Sequence, residues 1–188
     1  IVNTAIKEET KKVDDDIQTA VIVMDYMGAI RALKGGRNWN RSKFNRATQS
    51  KRQIGSIFKT YVYLTALSIG YKLDDTVLDT PIFDNKWKPK NYGNKYEGEI
   101  SLKRAFAKSS NVAAVRISEK IGRELIIKQT RKLGVTSKIP NKPSMPLGVA
   151  SMSLIEVVGS YGAICGKGKA IIPFGINEIV LRNGQSFW

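Results

Sequence analysis

Between Arg52 and Lys72 the chain carries a single charge, Lys59, in the run QIGSIFKTYVYLTALSIGY. Such a run predicts a helix from Ser56 to about Ser68, closed by Gly70, and apolar enough to be buried on most sides. A fold that takes this helix into its core takes an ammonium with it. Burial strips the ammonium of water and lowers its pKa. Ser56 stands three residues before Lys59, so an S-x-x-K pair shares one helix face, one turn apart. In the first turn of a helix, backbone N–H groups lack intrahelical partners and favour negative charge. A neutral amine about 3 Å from a serine hydroxyl can take its proton, which is general-base activation of a nucleophile. The spacing alone is a weak signal, because a chain of this composition holds about one S-x-x-K by accident. Ser56 as an N-cap, with Lys59 snorkelling to the surface, accounts for it as well.

Composition narrows the chemistry. The 188 residues include no histidine and one cysteine, Cys165. An internal disulfide, a histidine metal site and a histidine-based triad are all excluded. Any catalytic base must be Lys, Asp, Glu or Tyr, and neither metal nor cofactor is expected. Cys165, in SYGAICGKG, reads as a packed thiol at a helix end, since no imidazole exists to activate it. Lys and Arg number 31 against 16 Asp and Glu, a net charge of +15. That balance favours anionic partners in general. Its densest stretch, RNWNRSKFNRATQSKRQ at 37–53, interleaves aromatics with charge as single-strand binders do. The basic residues are otherwise dispersed, and no nucleic-acid module signature accompanies them. No apolar run approaches the roughly 20 residues of a membrane span, and residues 1–16 lack the apolar core of a signal peptide. A targeting segment or anchor is expected outside this chain.

Residues 1–17 read as a linker or surface helix leading into one domain over 18–188. QTAVIVMD (18–25) and GAIRALKGG (28–36) predict a hairpin across a DYMG turn. Residues 73–100, rich in Asp, Asn, Gly, Pro and aromatics, predict an ordered loop. Helical patterns follow at 101–109, 111–122, 123–134 and 153–164. The final AIIPFGINEIVLRNGQSFW returns to strand-like alternation with an RNGQ turn. Strands at both ends with helices between predict an α+β fold, an antiparallel sheet with a helical cluster.

A second candidate element is KSSNVAAV at 108–115. Ser109-Ser110-Asn111 is an S-x-N triplet at a helix boundary. Capping explains it by itself. Beside Ser56, though, the hydroxyl could relay a proton to a departing amine and the amide could hold a peptide group. S-x-x-K followed by an S-x-N-like element is part of the signature of penicillin-binding proteins and class A β-lactamases.

The likeness extends beyond those motifs. GGRNWNRSKFNRATQSKRQIGSIFKTYVYLTAL resembles the nucleophile region of the transpeptidase domain of class A (bifunctional) penicillin-binding proteins, where a GGR…FNRAT…RQPGSSFKP run is usual. Similarity continues through KWKPKNYGNKYEGEISLKRAFAKSSNVAAVRISEKIG and PSMPLGVASMSLIEVVGSYGAICGKGKAIIPFGINEIVLRNGQ, about residues 18–186. The resemblance implies the penicillin-binding protein and serine β-lactamase-like transpeptidase fold. It implies Ser56 as the acylated nucleophile, Lys59 as its proton acceptor, Ser109 as proton relay and Asn111 as the substrate-gripping amide. It implies attack on the D-Ala-D-Ala terminus of peptidoglycan stem peptides, covalent trapping by β-lactams, and an extracytoplasmic location, periplasmic or at the outer face of the inner membrane. Membrane attachment would come only through a segment outside this chain, and nucleic acid would not be a partner.

Three departures stand against the family pattern. Ile54 and Thr60 occupy positions where proline is usual. No K-T-G or K-S-G triplet occurs in the chain. The family carries that triplet on a core strand, which supplies a second oxyanion N–H, so the C-terminal strands are expected to be missing. Loss of one oxyanion donor costs about 10²–10³ in kcat. Two alternatives therefore stand beside the active transpeptidase: a truncated, non-catalytic remnant, and a basic nucleic-acid-binding module.

Overall fold

A computed structural model describes residues 1–14, 16–83 and 87–187. Lys86, at the head of the KWKPKNY segment, lies outside the described residues, as do Asp84, Asn85, Asp15 and Trp188. In chain order the elements are α1 (Val2–Glu9), β1 (Val21–Met24), β2 (Ile30–Lys34), β3 (Lys51–Gln53), α2 (Lys59–Ser68), β4 (Thr76–Asp79), β5 (Gly98–Ser101), α3 (Leu102–Ala107), α4 (Asn111–Ile121), α5 (Arg123–Lys132), β6 (Ser151–Ser153) and α6 (Leu154–Cys165). Short 3-10 turns occupy Gly55–Phe58 and Met145–Leu147. The chain divides into two compact units. One takes residues 1–51, 132–136 and everything from 152 onward; the other takes 52–131 and 137–151.

In the first unit β1 and β2 form the expected antiparallel hairpin, Val21 opposite Lys34 and Met24 opposite Ile30. Asp25 closes its turn: Oδ1 accepts from the N–H groups of Met27 and Ala29 at 2.9 and 3.0 Å. The Arg37 guanidinium donates to the carbonyls of Thr10, Asp14 and Ile17, which fastens the segment after α1. Helix α6 packs on β1 and starts at a capping box, in which the Ser153 side chain and Glu156 satisfy each other's backbone N–H groups. The strand-like C-terminal segment forms isolated bridges instead of a ladder, Phe174 beside Ala29 and Val180 beside Ser186. The RNGQ turn is present, with Leu181 N–H donating to the Gln185 carbonyl. Cys165 ends α6 as predicted, but it is exposed, not packed.

The second unit is built around α2. Tyr61, Val62, Tyr63, Thr65 and Ala66 are all buried, as is Phe58 just before the helix. Phe58 and Tyr61 meet edge to face, ring centroids 5.4 Å apart. Helices α3 and α4 pack against α2 with Leu102, Ala105, Val112 and Val115 buried, and the Met145–Leu147 turn packs on α2 and α4 with Met145 buried. Each of α3 and α4 begins at a serine cap: Ser101 accepts from Arg104 N–H and Ser110 from Ala113 N–H.

The segment 73–100 differs from the predicted loop. Its two ends pair as antiparallel strands, Thr76 opposite Ser101 and Asp79 opposite Gly98. Four-residue strands carry too little alternation to stand out between stretches rich in turn residues. The helix that follows Ser56 also begins differently. Residues 55–58 wind as a 3-10 turn, and the α-helix starts only at Lys59.

Candidate active site

Gly55 makes the approach to Ser56 possible. Its φ of +57° is the left-handed turn that swings the chain into the 3-10 segment. The backbone of 148–150 supports this corner, since Ile54 N–H donates to the Ala150 carbonyl and Gly55 N–H to the Gly148 carbonyl. Ser56 ends up exposed, while Lys59, one turn further on, is 1% exposed.

Four oxygens surround the Lys59 amine. Nζ lies 3.2 Å from Ser56 Oγ, 3.0 Å from Ser109 Oγ, and 2.6 Å from both the Ser109 carbonyl and Asn111 Oδ1. The other three predicted site residues thus converge on the Lys59 nitrogen, and all four belong to the second unit. Its partners are neutral oxygens. Burial alone lowers the Lys59 pKa from 10.5 to about 8.

The two short contacts decide which way the amine points. A carbonyl oxygen and an amide oxygen can only accept. A neutral amine has two N–H bonds and one lone pair. With the N–H bonds directed at the Ser109 carbonyl and Asn111 Oδ1, the lone pair is left for the Ser56 and Ser109 hydroxyls, which among these partners are the ones able to donate. In this arrangement the neutral amine can accept a proton from a serine hydroxyl.

Ser109 holds both its contacts in an uncommon backbone conformation, φ +53°. Left-handed geometry for a residue other than glycine costs about 1–2 kcal/mol. Turning there aims the carbonyl and the hydroxyl of one residue at the same amine. Ser110, next in the chain, points away and caps α4, so the capping explanation of the triplet holds for its middle residue. Asn111 has its orientation fixed from the other end: Nδ2 donates to the Lys90 carbonyl at 2.7 Å.

Two buried neighbours were not singled out by the sequence. Asp79, 3% exposed, accepts from the Ser110 hydroxyl, the Asn91 amide and the Glu97 N–H. Nothing local in TVLDTP marks its aspartate as buried. Tyr63 is buried with a hydroxyl that has no hydrogen-bond partner among the described residues. Burial first, then the nearby Asp79 charge, pushes that phenol well above its usual pKa.

A buried lysine between two serines, on a helix flanked by short antiparallel strands, defines a fold class that comparison makes explicit. The family model "Penicillin binding protein transpeptidase domain" matches residues 18–180. The chain belongs to that family. Penicillin-binding protein 1A of Pseudomonas aeruginosa is 36% identical over 176 residues, covering 89% of this chain and 21% of that protein. Penicillin-binding protein 1B of Haemophilus influenzae is 34% identical over 192 residues, covering 97% of this chain and 25% of that protein. The chain therefore spans about a fifth to a quarter of the length of these relatives. Among solved structures, penicillin-binding protein 1A of Haemophilus influenzae superposes with a TM-score of 0.84 at 30% identity, over 91% of this chain and 27% of that one. PonA1 of Mycobacterium tuberculosis in complex with penicillin V superposes with a TM-score of 0.89 at 24% identity, over 98% of this chain and 53% of that one, a likeness of fold. The α+β transpeptidase fold expected from the sequence is the fold of these neighbours.

Proposed function

We propose that the chain performs serine-based acyl transfer on peptidoglycan stem peptides, with Ser56 as nucleophile and Lys59 as base. Ser56 Oγ attacks the carbonyl carbon between the two terminal D-alanines while its proton passes to Nζ. The tetrahedral intermediate places its oxyanion against the Ser56 N–H. Collapse breaks the C–N bond, and the departing D-Ala amine takes back the proton from Lys59 by way of the Ser109 hydroxyl. An acyl ester remains on Ser56. The amine of a neighbouring stem then attacks the ester, and Ser56 recovers its proton. Asn111 has a second amide N–H beyond the one given to Lys90, available for the substrate's peptide carbonyl. β-Lactams present a similar carbonyl with a leaving nitrogen that stays tethered, so they acylate Ser56 and remain. The substrate places the reaction on the outer side of the cytoplasmic membrane. Among the described residues, no helix is long and apolar enough to cross a membrane.

The observation that supports this reading most is the Lys59 amine at 3.2 Å from Ser56 Oγ and 3.0 Å from Ser109 Oγ, with its other partners obligate acceptors. The test is intact-mass spectrometry after exposure to benzylpenicillin, with Ser56→Ala as control. A stoichiometric adduct that carries the full mass of the antibiotic and is absent from the variant is the expected result. A folded wild-type chain that gains no mass would overturn the proposal and favour a non-catalytic remnant.

A further inference from the structure

Asn111 Oδ1 does its work only if the first residue of α4 is held still, and α4 does not hold it unaided. Residues 90–91, in the KPKNY stretch, grip it on both sides. The Lys90 carbonyl accepts from Asn111 Nδ2 at 2.7 Å. Asn91 Oδ1 accepts from the backbone N–H of Asn111 at 2.8 Å and of Val112 at 3.2 Å, two of the N–H groups that the start of a helix leaves without intrahelical partners. Asn91 is itself fixed: Nδ2 donates to Asp79 Oδ1 at 2.6 Å and to the Lys95 carbonyl at 2.9 Å. Asp79 in turn is buried and also accepts from the Ser110 hydroxyl at 2.6 Å. A chain of hydrogen bonds thus runs from a buried carboxylate through Asn91 to the backbone of Asn111, and from its side chain to Lys59.

Helix capping alone does not require this arrangement. Ser110 already caps α4 through Ala113 N–H. Asn91 adds a second acceptor from a segment distant in sequence, directed at the residue that touches the amine. We infer that Asn91 is a positioning residue for acyl transfer: anchored on Asp79, it sets the place of Asn111 and so the direction of the Lys59 lone pair. Its kinetic consequence rests on the reading of Ser56 and Lys59 given above; its structural consequence does not.

Two measurements test the assignment on the full chain. The first is the rate of acylation by benzylpenicillin in Asn91→Ala, Asn111→Ala and the double variant. A misplacement of about 1 Å can cost roughly 10²-fold in rate, so Asn91→Ala is expected to slow acylation about 10- to 100-fold. If Asn91 acts through Asn111, the double variant is no slower than Asn111→Ala, because the two losses do not multiply. Losses that do multiply, or an Asn91→Ala rate equal to wild type, would overturn the assignment. The second is amide hydrogen exchange, which needs no catalysis. Asn91→Ala is expected to release the Asn111 and Val112 N–H groups while the rest of α4 keeps its protection. Unchanged protection there overturns the assignment even if the wild-type chain never acylates, and that latter result sinks only the reading of Ser56. Asn91→Asp guards against a variant that fails to fold. It is isosteric, keeps Oδ1 for both N–H groups, and with one proton shared with Asp79 gives up only the bond to the Lys95 carbonyl. Asn91→Asp is expected to retain the rate within about fivefold; a loss as large as that of Asn91→Ala would show that the acceptor oxygen is not what matters.

Discussion

The pH dependence of acylation follows directly from where Lys59 sits. Buried among neutral oxygens, its amine is lowered from 10.5 to about 8. If the neutral amine is the base, acylation by benzylpenicillin tracks its fraction: about 1% at pH 6, about 10% at pH 7 and about 50% at pH 8. At an ordinary pKa of 10.5 the fraction at pH 7 would be about 0.03%, so burial raises the population of competent base roughly 300-fold. The expected profile rises about tenfold per pH unit from 6 to 7.5 and levels off above 8.5. The assay is the second-order acylation rate, read by quenched intact mass or by a fluorescent penicillin, between pH 6 and 9.5. A companion variant sharpens it. Asn111→Asp puts a carboxylate where Oδ1 now lies 2.6 Å from Nζ, which favours the ammonium and moves the rise upward by about 1–3 units. A wild-type profile flat across this range, or one still climbing steeply at pH 9.5, would refute the argument. So would an Asn111→Asp profile displaced downward.

Other substitutions probe the supports of the same cluster. A Cβ on Gly148, whose φ is +79°, would be driven into the Gly55 carbonyl; Gly148→Ala is expected to cost more than about 2 kcal/mol in thermal or denaturant unfolding and to slow acylation as well. Tyr63→Phe removes a buried hydroxyl without a partner among the described residues and is expected to leave stability unchanged or raise it by up to about 1 kcal/mol. A loss of more than that in denaturant unfolding would reveal a partner for the hydroxyl. Ser109→Gly and Ser109→Ala both delete the hydroxyl proposed as the relay, but only glycine relieves the φ of +53°. Comparable acylation losses, with the glycine variant more stable by about 1 kcal/mol, are expected in the same assays.

The parts of this site legible in the sequence are those that repeat a local rule. One lysine in an apolar run, with a serine one turn before it, gives both the buried helix and its anomaly. The helices at 101–109, 111–122, 123–134 and 153–164 follow from apolar spacing; the second and third start where predicted, and the other bounds differ by one or two residues. The pairing of Thr76–Asp79 with Gly98–Ser101 was not legible, because each strand is too short for alternation and its partner lies beyond a long excursion. Asn91 and Asp79 were hidden for the same reason. An asparagine in KPKNY reads as turn chemistry, and only the fold brings it to the start of α4. The left-handed Ser109 was likewise invisible, since nothing in KSSN says which serine turns.

Several features that cost stability gather within this one unit, and their sum explains why the helix around them is so apolar. Lys59 keeps a proton in the unfolded chain up to pH 10.5 but gives it up near 8 when folded. Between those values the unfolded chain binds more protons, so stability rises with pH through that window, and the full penalty, about 3 kcal/mol, is present below pH 8. Ser109 adds about 1–2 kcal/mol of backbone strain, and the Tyr63 hydroxyl a further desolvation cost. Against these stand Phe58, Tyr61 and Val62, each at most 1% exposed on or beside α2. Burying one such side chain contributes about 1.5–3 kcal/mol, so three of them offset the penalties of the cluster. Lys59 and Ser109 carry their costs at the amine itself, and the side chains that offset them lie on or just before the same helix. Lys59→Met separates the two. It removes the ionisation penalty and the donor to the Ser109 carbonyl and Asn111 Oδ1, so stability changes little, while acylation is lost altogether if Lys59 is the base, as proposed.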